Sequence, residues 1–240
     1  MERKKTKAKD NKVKIRILGV SGTPIKGGNC DTMVQEALKV AESLGDVDTE
    51  FITMAGKKVE MCRHCQYCIE HRVPCKIKDD HAMIVEALKK ADGWLLAGPT
   101  WGFNLAPPLL NLFSRFRYYT FFTDEFRNKV TAALTVGYFG AGMEHALDSI
   151  RRGIVVAQAA AIASTAAFGQ RPAYTEHGVL DDKTGMRRVS LAAIRVVEVA
   201  RMIKFAQNAG VGLSKEQIVT PGARFSKKKK KFVKGAWRDA

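Results

Sequence analysis

Nowhere in these 240 residues is there an apolar run of the roughly 18 residues that a membrane-spanning helix needs. The N-terminus is basic, but the next apolar run, Ile15 to Val20, is too short for a signal-peptide core and ends in a Gly-containing turn, so a cytoplasmic protein is expected. Acidic residues are scarce: 24 Asp and Glu stand against 40 Lys and Arg, a net charge of +16. The imbalance sits at the ends. Residues 1–16 hold eight basic residues against Glu2 and Asp10, and residues 221–240 hold eight, including Lys227 to Lys231, against Asp239. The body between them carries only +3, which argues against a nucleic-acid-binding face on the folded part, and no RNA or DNA motif accompanies the tails. The Walker pattern G-x-x-x-x-G-K-[ST] and the dinucleotide pattern G-x-G-x-x-G are both missing from the first loop, which removes the two commonest nucleotide-binding loops.

What is present is a regular alternation. Residues 13–20, 48–54, 93–98, 129–136 and 161–168 read as short strands rich in apolar residues. Between and after them, helices are predicted over Asp31 to Leu44, Asp80 to Lys90, Glu144 to about Ala157, and about 187–208. A further apolar helical face is formed by Leu109, Leu112, Phe113 and Phe116. Five strand–helix alternations without an internal repeat predict an α/β domain: a five-stranded parallel sheet with helices on both faces. The expected organisation is a basic tail over 1–12, one domain over 13–210 and a second basic tail over 211–240. Sheets of this kind bind ligands at the C-terminal ends of their strands, near the reversal of strand order.

Three loops follow strands at that edge. In the first, Ser21, Thr23, Asn29 and Thr32 offer side-chain donors, Gly28 allows close backbone approach, Lys26 offers charge, and a helix N-terminus follows. A hydroxyl-rich loop of this type suits a flavin monophosphate; an ordinary strand–helix turn capped by Asn or Asp is the plainer alternative. The second, Pro99-Thr100-Trp101-Gly102-Phe103-Asn104, and the third, Gly137 to Gly142 with Tyr138 and Gly140, offer backbone donors and aromatic rings for a flat heterocycle. Each could also hold no more than buried aromatics near helix starts.

Five cysteines occur, four of them within fourteen positions: Cys62-x2-Cys65-x2-Cys68-x6-Cys75 in a loop over 60–78 after the second strand. Three thiolates two residues apart can wrap one side of a cubane and the fourth can close the other, so one iron–sulfur cluster is the favoured reading. Tetrahedral zinc, with His64 or His71 substituting for a cysteine, is the competing one. The fifth, Cys30, lies in the first loop.

With these residues in view the chain resembles the iron–sulfur flavoprotein family, within the NADPH-dependent FMN reductase superfamily. The resemblance is carried by SGTPIKGGN, by the cysteine run followed by Ile77-Lys78-Asp79-Asp80, by Ala97 to Phe103, by the GYFGAGME loop and by Leu180 to Met186, over about residues 13–205. It implies a flavodoxin-like fold, FMN held by the first loop at its phosphate and by the other two at its ring, and a [4Fe–4S] cluster on Cys62, Cys65, Cys68 and Cys75. It also implies assembly into dimers or tetramers and electron exchange with ferredoxin or a similar carrier, with direct oxidation of NAD(P)H as the alternative. The family's arginine in the first loop is replaced by Ile25, and its hydroxyl residue after the Asn by Cys30, whose thiol is then expected to face the phosphate.

Overall fold

The computed structural model describes residues 13–138, 140–157, 159–169 and 176–211. The two basic tails, apart from the residues at their inner ends, and Phe139 of the third loop fall outside this set. Five parallel strands form the sheet: β1 (Ile15–Ser21), β2 (Val47–Thr53), β3 (Gly93–Trp101), β5 (Val130–Gly137) and β6 (Ala160–Phe168). Their order is β2-β1-β3-β5-β6, so the sheet reverses direction between β1 and β3. A sixth strand, the two-residue β4 (Asn104–Leu105), folds back antiparallel on β3 and adds to the expected five.

Alternating side chains divide the core in two. Ile15, Ile17, Leu95, Ala97, Ala132 and Leu134 point to one face, where α1 (Asn29–Ser43) and α7 (Lys183–Asn208) cover them. Leu18, Val20, Trp94, Leu96 and Ala133 point to the other. There they meet α3 (His81–Lys90), α4 (Pro107–Ser114), α5 (Arg117–Phe122) and α6 (Met143–Val156). Because both faces are covered, the central strands β3 and β5 are nearly unbroken apolar runs and stand out in the sequence, whereas the edge strand β2 (VDTEFIT) is only partly buried. The largest buried ring, Trp94, donates its indole N–H to Leu88 O at 2.9 Å, so burial leaves no polar atom stranded.

Two elements differ from expectation for local reasons. The helix α7 starts at Lys183, four residues early, because Asp182 caps it by accepting from Gly185 N at 2.8 Å while also accepting from Phe168 N at 2.8 Å. The cysteine segment, which has no periodicity, contains a single helical turn, α2 (Tyr67–Glu70).

Candidate functional site

The first loop leaves β1 at Ser21 and enters α1 through Gly28. Gly22 N donates to Ala97 O at 2.7 Å, and a Cβ on Gly22 would lie 2.3 Å from Leu109 Cγ, so only glycine lets the loop lie this close to β3 and α4. Asp31 turns inward and accepts from Gly27 N at 2.8 Å, which folds the loop over the helix start. No side chain caps α1, so its first-turn N–H groups have no side-chain acceptor, with the buried Asp31 carboxylate in the same turn. Thr32 is half-buried one turn in, and Lys26 is exposed on the rim.

Three of the expected donors are turned differently. Thr23 is buried and its hydroxyl oxygen accepts from Ile25 N at 3.1 Å, which leaves only its hydrogen to donate. Asn29 Oδ1 accepts from Val179 N at 2.8 Å, fastening α1 to the 3-10 turn Gly178–Asp181. Cys30 is the correction. Its side chain packs in the core with Met33, Val34 and Ala37 instead of facing an anion. Burial pushes its thiol up to about 12, the neighbouring Ser21 hydroxyl pulls it down, and the Asp31 charge raises it further. Ser21 Oγ is buried at the end of β1 and, the adjoining Cys30 thiol apart, has no hydrogen-bond partner.

The second and third loops meet each other. Pro99, Thr100 and Trp101 are the last residues of β3, where Thr100 Oγ1 lies 3.3 Å from Thr135 Oγ1 of β5. Gly102 and Phe103 then turn the chain with φ of 52° and 62°, and Asn104 Oδ1 accepts from Leu105 N at 2.8 Å. Gly137 ends β5, and its carbonyl accepts from Gly169 N at 2.9 Å. Gly142 caps α6 with φ of 80°; a Cβ there would lie 2.4 Å from the backbone of Phe103. The rings of Trp101, Phe103 and Tyr138 are exposed at this edge, as is Gly140. Three loops that the sequence separates by over a hundred residues are thus brought to one end of the sheet. Gly142→Ala forces both a left-handed alanine and a backbone clash, at about 1–3 kcal/mol. Flavin retention, read by fluorescence titration, is expected to fall by about tenfold or more as the two loops part, whereas an unchanged affinity would mean that their contact does not shape the site.

The cysteine loop is tied at its neck. Lys58 N donates to Asp80 Oδ2 at 2.7 Å, Asp80 N donates to Lys58 O at 2.9 Å, and Glu60 N donates to Asp79 Oδ2 at 2.8 Å. The loop between these points is an Ω-type excursion with adjacent ends. The α4 end grips its outgoing leg: Asn111 Nδ2 donates to Val59 O at 3.0 Å and Ser114 Oγ accepts from Cys62 N at 3.0 Å. Arg117 donates to Gln66 Oε1 at 3.0 Å, supporting a residue held at φ of 59° between Cys65 and Cys68. All four thiols of the run are free. Cys68 has its thiol raised by burial; Arg117 opposes this, and Cys75, Cys62 and Cys65 add to it. Among the described residues, no group of three or more His, Cys, Asp or Glu is gathered into a finished metal-binding set.

His81 opens α3 beneath the neck, buried against Phe116, with its Nε2 unpartnered. Burial and the Arg115 charge lower it from 6.5 to about 4, against weaker opposite pulls from Asp79 and the Leu112 backbone. A lowered histidine is neutral in the fold and protonated in the unfolded chain between these two values. Stability is therefore whole above pH 6.5 and falls as pH drops toward 4, by on the order of 2–3 kcal/mol. His81→Gln should flatten that slope in urea unfolding from pH 7 to 4; an unchanged slope would assign it to other groups.

Comparison with known proteins agrees with this arrangement. The family model described as NADPH-dependent FMN reductase matches residues 15–173. A protein of Archaeoglobus fulgidus named iron-sulfur flavoprotein is 32% identical over 192 residues, covering 76% of this chain and 96% of its own. A Methanosarcina thermophila protein of the same name is also 32% identical, over 79% of this chain and 97% of its own. The chain belongs to the iron–sulfur flavoprotein family, within the NADPH-dependent FMN reductase superfamily.

Membership makes it a flavin-dependent oxidoreductase with FMN as its flavin. Solved structures support the fold. A flavone reductase superposes with a TM-score of 0.63 at 18% identity over 80% of this chain; the match spans 65% of that protein, less than two thirds of its length. RosB, solved with bound 8-demethyl-8-formylriboflavin-5'-phosphate, gives 0.60 at 15% identity over 89% of this chain and 95% of its own. The flavodoxin-like sheet of an iron–sulfur flavoprotein is therefore what α1, the three loops and the neck are built on. The residues present fit both groups the family name implies. An uncapped helix start and the buried Ser21 hydroxyl would suit a phosphate, and the four cysteines of the tied loop have the chemistry of a cluster's donor set. Arg115, the partner of Asp79, is the neck residue that motif reading missed; an arginine inside the apolar stripe Leu109, Leu112, Phe113, Phe116 was the available signal.

Proposed function

We propose that this protein passes electrons between FMN and one [4Fe–4S] cluster held by Cys62, Cys65, Cys68 and Cys75, and exchanges them with a small acidic carrier such as ferredoxin. The observation that supports this reading is the tied loop, which carries four cysteines free of disulfides between its paired legs. FMN, when bound, takes up electrons in pairs or singly, and the cluster takes them singly, so together they couple a two-electron donor to a one-electron carrier. This chain's own residues position: the start of α1, Ser21 and Lys26 bind the phosphate; Thr100, Asn104 and the backbone of Gly137 to Gly142 orient the ring; Trp101, Phe103 and Tyr138 shield its edge from water. No side chain is assigned as acid or base.

Exposed Arg63, Arg72, Lys76 and Lys78 surround the cysteines, whereas Glu70 is the exposed acid of the loop. A basic collar of this kind favours an acidic partner by steering its approach. The working unit is residues 13–210 in the cytoplasm, as a homodimer or homotetramer, with the tails dispensable for cofactor loading. No helix among the described residues is long and apolar enough to cross a membrane.

The test is anaerobic purification followed by absorption spectroscopy, iron and sulfide analysis, and chromatography of the released flavin. One FMN and about four iron and four sulfide per chain are expected; a colourless zinc protein, or stoichiometric FAD, would overturn the reading. Reduction of an acidic ferredoxin should slow several-fold as ionic strength rises, because surface charges are screened. Rapid NADPH turnover with free flavin as acceptor, indifferent to salt and to the carrier, would favour the simple reductase that the family description suggests.

A further inference from the structure

Arg115 has a buried guanidinium in a loop-and-helix region where most basic residues are exposed. It lies at the end of α4, where Asn111 and Ser114 already hold the outgoing leg of the cysteine loop, and it continues the same face one residue on. Unlike them it reaches both legs. Nη1 donates to Glu60 O at 3.3 Å, two residues before Cys62, and Nη2 donates to Ile77 O at 3.1 Å, two residues after Cys75. Asp79 neutralises it at 2.5 Å, with side-chain exposures of 1% for Arg115 and 0% for Asp79. The Cys75 thiol lies beside the same guanidinium, and Arg115 Nε remains buried with no partner. A neck that needed only closure has it already from Lys58 with Asp80 and Glu60 with Asp79. The cation adds two things those bonds do not: a bridge from leg to leg, and a fixed positive charge at the fourth cysteine.

We propose that Arg115 is the positioning residue of the cluster site, holding Cys62 and Cys75 in register through Glu60 O and Ile77 O and setting its charge against the Cys75 thiolate. The inference rests on the cluster reading above. A planar fork is required for the two-leg bridge, whereas any fixed cation supplies the charge. Lysine therefore separates the two contributions: it keeps the charge but cannot span both carbonyls in one plane. A buried positive charge favours the reduced, more negative cluster, so removing it lowers the midpoint potential.

The experiment uses the full chain purified anaerobically as wild type, Arg115→Lys, Arg115→Met, Arg115→Met/Asp79→Asn and, as a surface control, Lys90→Met. Iron and sulfide content, the rate of cluster loss to a chelator, the cluster midpoint potential and FMN content are read for each. The double variant removes both members of a pair with no net charge, so no carboxylate is stranded. It is expected to lose its cluster about tenfold faster or more, with a midpoint potential near the wild-type value and FMN at the wild-type level. Arg115→Met, which leaves Asp79 charged, should show the more negative potential; Arg115→Lys should keep the wild-type potential and lose the cluster faster, and Lys90→Met should match wild type in both. A wild-type protein that holds its cluster, beside a double variant with the same loss rate and an Arg115→Met variant with the same potential, overturns this inference and leaves the proposed function standing. If the double variant does not fold, a wild-type loss rate in Arg115→Lys overturns it equally. Wild-type protein without iron and sulfide overturns the proposed function and this inference together.

Discussion

Serine in place of any one of Cys62, Cys65, Cys68 or Cys75 is expected to strip iron and sulfide from the anaerobically purified protein while FMN stays bound. A serine hydroxyl is protonated at neutral pH and is a far poorer ligand for iron than a thiolate, so three cysteines and one serine leave a labile cluster. FMN is expected to persist because the two sites are carried by different segments. The flavin loops end β1, β3 and β5, whereas the cysteines sit on an excursion closed at Lys58–Asp80 and Glu60–Asp79. Cys30→Ser makes the contrast. Cys30 is in the apolar core beside Met33 and Val34, so its serine variant should keep the cluster and lose about 1–3 kcal/mol of stability from a buried hydroxyl. Iron, sulfide and flavin counts on the five single variants decide the matter: a cluster that survives at Cys62, Cys65, Cys68 or Cys75, or vanishes at Cys30, would break the ligand assignment.

Asp79→Ala is expected to be the most destabilising single change in the neck, about 3–5 kcal/mol in urea unfolding, because it leaves the Arg115 cation buried and unpaired. Burial alone would raise the Asp79 carboxyl. The bonds from Arg115 and from the Glu60 and His81 N–H groups, with the Arg115 charge, outweigh it and hold the group below the usual carboxylate range. A depressed carboxyl stabilises the fold above the unfolded-chain value of about 3.9 and ceases to do so as pH falls through its folded value, so wild-type and variant curves should converge in strong acid. A loss below about 1 kcal/mol at neutral pH would mean that water reaches the pair.

The sheet was legible because its strands are buried on both faces and read as apolar runs between glycines. The additions to that frame were not. The sequence of α5, Arg-Tyr-Tyr-Thr-Phe-Phe, has no helical period, and tertiary contacts among Tyr119, Phe116 and Phe126 hold it. The short β4 depends on two successive left-handed residues, Gly102 and Phe103, of which only the glycine announces itself. The bracing of the cysteine loop was not legible: Asp79 stood out within Ile77 to Asp80, but its partner Arg115 lies 36 residues away and belongs to no motif. In the first loop, residue types were informative and directions were not. Yet the inward turn of Cys30 is written in the register: it lies four residues before Val34 and seven before Ala37, on the face α1 buries.

The touching legs of the neck have a consequence for how such a protein can change over time. Because Lys58 and Asp80 are already bonded to each other, the seventeen residues from Met61 to Ile77 are a detour whose entrance and exit coincide. Closing a longer or shorter detour between fixed ends alters the chain entropy by well under 1 kcal/mol for modest changes in length. The excursion can therefore be lengthened, pruned or exchanged while the strands beneath keep their places. A loop closed in this way can be remodelled without disturbing the flavin scaffold that carries it.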